Sequence, residues 1–98
     1  MTSIKEITKV ITPIADELNL KRVILFGSYA RGDQTAKSDI DLIIDGGGTL
    51  DAYDVFYTIG RMLEVLPVKA DIFEISEVKN PSRIMDAISR EGVLLYGK

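Results

Sequence analysis

Short runs of β-branched and aromatic residues alternate along this chain with stretches of helical periodicity, and few folds accept that order. Ser3-Ile4-Lys5-Glu6 has the form of a capping box. Ile4, Ile7, Ile11, Ile14 and Leu18 then recur at helical spacing. Pro13 interrupts the helix but not its stripe, which predicts one kinked helix rather than two. Strands are predicted at Arg22 to Phe26, Asp39 to Ile44 and Val68 to Ile75. A Gly27-Ser28 turn, a helical stub through Arg31 and a polar loop separate the first two. Between the second and third lie a triple glycine and a helix. Thr49 is the expected cap of that helix, Val55, Phe56, Ile59, Met62, Leu63 and Leu66 its expected core face, and Pro67 its stop. Asn80-Pro81 opens a last helix carrying Ile84, Met85 and Ile88 inward, with Gly92 as its C′ residue. Val93 to Tyr96 reads as a short closing strand or an extended tail.

The predicted order is α-β-α-β-α-β-α, an α/β (α+β) chain with a small β-sheet covered by helices. The sheet is expected to be mixed, because the connection between the first two strands carries only a stub of helix. The 98 residues suit one domain spanning 1–98, large enough to bury a core without staples.

Composition removes whole classes of chemistry. With no cysteine and no histidine, serine–histidine triads, thiol nucleophiles and histidine- or thiolate-bound zinc are excluded. Catalysis must run on carboxylates, hydroxyls, lysines, arginines and bound ions. Lys5, Glu6 and Lys9 break any leader pattern, and no apolar run approaches the roughly 20 residues of a membrane span, so a cytoplasmic location is expected. The net charge of −3 and scattered basic residues argue against stable nucleic-acid binding.

Asp39 and Asp41 stand two apart on a predicted strand, which sends both to one face while Ile40, Leu42 and Ile44 face the other way. Paired carboxylates repel, and a hard divalent cation resolves the conflict. Solvation at a strand end is the alternative. Gly27-Ser28 follows a buried strand and precedes a helical turn, where backbone N–H groups can meet an anion and glycine allows close approach. Arg31 lies within one turn and can add charge-assisted bonds. An ordinary tight turn with a surface arginine is the competing account. A third acid, Asp71, lies within an apolar strand and needs a partner. That partner is either a metal cluster shared with Asp39 and Asp41 or a nearby cation. Asp45, beside the triple glycine, reads as solvated or as a turn residue.

The ordered run GSYARGDQTAKSDIDLII resembles the signature of the DNA polymerase β-type nucleotidyltransferase superfamily, and the whole chain resembles its minimal nucleotidyltransferase (MNT) domains. The resemblance implies that Gly27 and Ser28 meet the nucleotide phosphates and that Asp39 and Asp41 bind metal. It also implies that Asp71 is the third catalytic and metal-binding acid, and that Arg31 is a phosphate contact or a local structural residue. Tyr29 fills a slot where many relatives carry arginine. The implied reaction moves a nucleoside monophosphate from a triphosphate to a hydroxyl with two magnesium ions, or manganese in their place. Larger relatives hold the acceptor on a second domain, which is not expected here. Small MNT proteins resemble antitoxins that adenylylate a tyrosine of a helical HEPN-type toxin. ATP as donor, such a toxin as acceptor and a hetero-oligomer with it are therefore the implied partners. A non-catalytic module that masks its partner, and nucleotidyl transfer to a small molecule, remain the alternatives.

Overall fold

The computed structural model describes residues 2–97, so Met1 and Lys98 of the expected 1–98 domain lie outside the described residues. Its elements are α1 (Ile4–Glu17), β1 (Arg22–Phe26), α2 (Ser28–Arg31), β2 (Ile40–Asp45), α3 (Ala52–Val65) and β3 (Ala70–Glu74). A 3-10 turn (Ile75–Glu77), α4 (Arg83–Glu91) and β4 (Val93–Gly97) complete the order. The four strands form one mixed sheet in the order β3-β2-β1-β4. β1 is antiparallel to both β2 and β4, whereas β2 and β3 run parallel. The stub α2 permits the antiparallel return from β1 to β2, and only the full helix α3 supplies the crossover that a parallel pair requires.

Strand alternation divides the core in two. Val23 and Leu25 of β1 and Ile40, Leu42 and Ile44 of β2 pack with Ile7, Ile11 and Ile14 of α1 and Met62 of α3. On the opposite face Ile24, Phe26 and Ile43 meet Phe73, Ile75 and Val78 around the 3-10 turn and Ile84, Ala87 and Ile88 of α4, so α4 is the α-helix on that side. Asp41 shares the parity of Ile43 and therefore opens onto the α4 side. No helix among the described residues is long and apolar enough to cross a membrane.

Local details refine the expectations. Ser3 caps α1 by accepting from the Glu6 N–H at 3.1 Å, and Pro13 lies within that single helix. Asp51, not Thr49, caps α3, through a reciprocal box with Asp54. Thr49 Oγ instead donates to the Gly46 carbonyl at 2.8 Å. Phe56 and Leu63 were expected in the core but are 79% and 47% exposed. The helix is rotated so that Val55, Thr58 and Met62 face inward. Thr58 tolerates this because its hydroxyl donates back to the Asp54 carbonyl at 2.7 Å. Ser82 rather than Asn80 caps α4. Gly92 is extended, not left-handed, and leads directly into β4, so Val93 onward is a strand. Asp45 is a turn residue, as its bond from the Gly47 N–H shows, but it is buried and paired with Arg22 at 2.8 Å rather than solvated. Burial pushes its carboxyl up, yet the Gly47 N–H and the Arg22 guanidinium outweigh this and hold it below the usual range.

Candidate active site

The site lies beneath α4, where β1 ends and β2 and β3 begin. The β1–β2 register sets Phe26 opposite Asp41, so Gly27 leaves the sheet directly beside that acid. A Cβ built on Gly27 would overlap Asp41 Oδ2 and lie 3.1 Å from its Cγ. Gly27 also has φ 79° and ψ −158°, a conformation essentially closed to other residues. The same position is thus fixed as glycine by backbone conformation and by close approach of the Asp41 carboxylate.

The parallel ladder pairs Asp41 with Asp71 across β2 and β3. Asp39 precedes β2 by one residue. Asp71 is exposed on an edge strand, so burial does not force a partner on it, contrary to its expected place inside an apolar strand. Partial burial raises the Asp41 pKa first, and the charges of Asp71, Asp39 and Glu91 add to this while Arg31 opposes them. Among the described residues no group of three acids is gathered tightly enough to hold a cation by itself. The adjacent pair Asp41 and Asp71, with Asp39 two residues before the first, is nonetheless a hard-oxygen donor set. Such a set suits a divalent cation that takes its remaining ligands from phosphate or water.

Ser28 is the first residue of α2, with half-buried placement. Arg31 is not free. Its Nη1 donates to Glu91 at 2.8 Å and its Nε to Asp33 at 3.1 Å. Glu91 also accepts from the Gly27 N–H at 2.7 Å, and so ties the Gly27 turn and Arg31 to the end of α4. Sequence reasoning missed Glu91, because it lies 64 residues from Gly27 and only the docking of α4 brings them together. Tyr29 is 6% exposed and belongs to the α1–α3 core, so this slot offers the site nothing.

Gly27, Arg31, Asp41 and Glu91 border a cleft of about 500 Å³ between α4 and the sheet. Phe26, Phe73, Ile84 and Ala87 supply its apolar surface, and Arg83 and Arg90 line it from α4.

A glycine-serine turn thus stands against paired acids at the open end of a mixed sheet. The chain belongs to the Polymerase beta nucleotidyltransferase family, whose model matches residues 8–98. Two relatives from Methanocaldococcus jannaschii are named as candidate protein adenylyltransferases. One is 34% identical over 69% of this chain and 69% of its own length, the other 33% over 83% and 84%. Among solved structures, a candidate minimal nucleotidyltransferase superposes with a TM-score of 0.74 at 21% identity, covering 94% of this chain and 95% of its own. A chain of a toxin–antitoxin crystal structure with AMP-PNP gives 0.75 at 22% identity over 93% of this chain and 73% of its own. A chain from the complex of a tri-AMPylated Shewanella oneidensis HEPN toxin with its MNT antitoxin gives 0.71 at 18% identity, over 97% and 73%. The nucleotidyltransferase fold expected from the motif is therefore the fold observed.

Proposed function

We propose that this protein transfers AMP from ATP to a tyrosine hydroxyl of a HEPN-type toxin and so acts as its antitoxin. The observation that carries the reading is the Asp41–Asp71 pair set across β2 and β3, with Gly27 held against Asp41. In this reading Gly27, whose own N–H is held by Glu91, lets the phosphates come close, Ser28 presents its backbone N–H and hydroxyl to them, and Asp39, Asp41 and Asp71 hold the metal. A bound magnesium ion supplies a lowered pKa at the acceptor hydroxyl and neutralises phosphate charge. The chain's own share is to position the reactants and hold charge in a fixed array. The names of the M. jannaschii relatives favour a protein acceptor, and the AMPylated toxin complex with its MNT chain favours a toxin.

The test incubates the protein and magnesium with ATP labelled on the α-phosphate and a co-expressed partner or host lysate. Label on one protein band, absent with Asp39→Asn/Asp41→Asn and absent with γ-labelled ATP, is the expected result. A partner that stays neutralised and unlabelled, including by the double variant, would instead establish masking. Label on a small hydroxylated acceptor alone would move the function to that substrate class.

A further inference from the structure

We propose that Arg83 and Arg90 of α4 are the polyphosphate contacts of this cleft, receiving the anionic tail of a nucleoside triphosphate. The inference rests on the nucleotidyl-transfer reading above and adds two binding residues to it. The need for cations is plain from the site's charge. Asp41 and Asp71 pair across β2 and β3, Asp39 just precedes β2, and the Glu91 carboxylate reaches the Gly27 N–H, so four acids gather at this end of the sheet and a triphosphate brings further negative charge. α2 has no uncommitted cation to offer. Arg31 already serves Glu91 and Asp33, and the neighbouring position is a tyrosine buried in the opposite core. Arg31 keeps free N–H donors, but its single positive charge is already matched by two carboxylates.

The α4 arginines are in the opposite condition. Both are exposed and both line the cleft. Among the described residues neither forms an ion pair. Arg90 makes one long bond, at 3.4 Å, to the Asp86 carbonyl of its own helix. Their seven-residue spacing is close to two helical turns, which puts them on one side of α4 about 10 Å apart along its axis. Arg90 adjoins Glu91, whose carboxylate touches the Gly27 N–H, so Arg90 stands at the Gly27 end and Arg83 at the far end. An anion running from the Gly27 turn along α4 therefore meets one guanidinium and then the other. Guanidinium is the side chain best matched to phosphate oxygens, through planar, paired donors.

The test measures binding of ATP, AMP and inorganic pyrophosphate to the full chain by calorimetry with magnesium present. Arg83→Gln, Arg90→Gln, the double variant and Arg90→Lys are compared with wild type, and far-UV circular dichroism checks the fold. The double variant is expected to lose about 10-fold or more in affinity for ATP and pyrophosphate, since one charge-assisted contact of this kind carries that factor. AMP binding should stay within about 2-fold of wild type, and Arg90→Lys should recover part of the single-variant loss. Unchanged ATP and pyrophosphate affinity would overturn the proposal, as would an equal loss for AMP. Retained ATP binding with lost transfer to protein would assign the arginines to an acidic acceptor instead. If wild type binds neither ATP nor pyrophosphate, the nucleotidyl-transfer reading itself fails.

Discussion

Replacing Gly27 by alanine strikes backbone and site at once, and Gly32 provides an internal control. Both glycines have positive φ, 79° and 82°. At Gly32 the backbone is left-handed, with ψ 13°, and nothing lies within 4 Å of an added Cβ. Alanine there meets only the conformational penalty, about 1 kcal/mol. At Gly27 the conformation is less accessible still, at about 1–3 kcal/mol, and the new methyl would overlap Asp41 Oδ2. Driving Asp41 off its rotamer adds roughly 1 kcal/mol. The totals are about 3 kcal/mol for Gly27→Ala and about 1 kcal/mol for Gly32→Ala. For a domain of this size these lower the melting temperature by roughly 15–20 °C and about 5 °C. Thermal melts followed by circular dichroism read the difference. Below both melting points, transfer from α-labelled ATP should fall on the order of 100-fold for Gly27→Ala alone, because the displaced acid no longer lies where the reaction needs it. Equal melting temperatures and equal transfer rates for the two variants would refute the claim that Gly27 is glycine for the sake of Asp41.

Other expectations follow the same logic. Asp41→Asn and Asp71→Asn should each lower transfer by about 100- to 1,000-fold while leaving the far-UV spectrum and melting temperature near wild type, as expected for charges whose work is done at the reaction. Asp45 has a lowered folded pKa, so its contribution is full above the unfolded value near pH 4 and is lost as the pH falls through the lower folded value. Asp45→Asn should therefore be less stable than wild type at pH 7, by about 1 kcal/mol since the Arg22 side chain is 41% exposed and partly screened, and the gap should close as the pH falls below the usual carboxylate range. Phe56→Ser should change stability by no more than about 0.5 kcal/mol in urea titrations, whereas Met62→Ala should cost about 2–5 kcal/mol. That contrast checks the rotation of α3.

Local signals and short-range pattern were legible from the residues alone. The stripe of α1 is the buried stripe, because isoleucines at that spacing have one way to leave water. Asp39 and Asp41 announced themselves by i, i+2 spacing, and Gly27-Ser28 by its place between strand and helix. The short connection through α2 was enough to make the sheet mixed. Phe56 and Leu63 misled, because a helix with apolar residues on more than one side does not reveal which side the sheet will take. Thr49 and Asp51 are both good caps, and only the start of α3 against the sheet chose between them.

What the sequence by itself determined is the chemistry on offer: carboxylates without histidine or cysteine, a glycine turn, and the spacing that brings two acids together at the start of β2. What only the tertiary structure decided is which distant groups share that chemistry. Strand register made Asp71 the neighbour of Asp41, and the docking of α4 committed Arg31 to Glu91 and turned Arg83 and Arg90 toward the cleft. The physical reason is range. Propensity, capping and periodicity act over a few residues, whereas pairing across a sheet and packing of a helix on its face are settled by burial of the whole core.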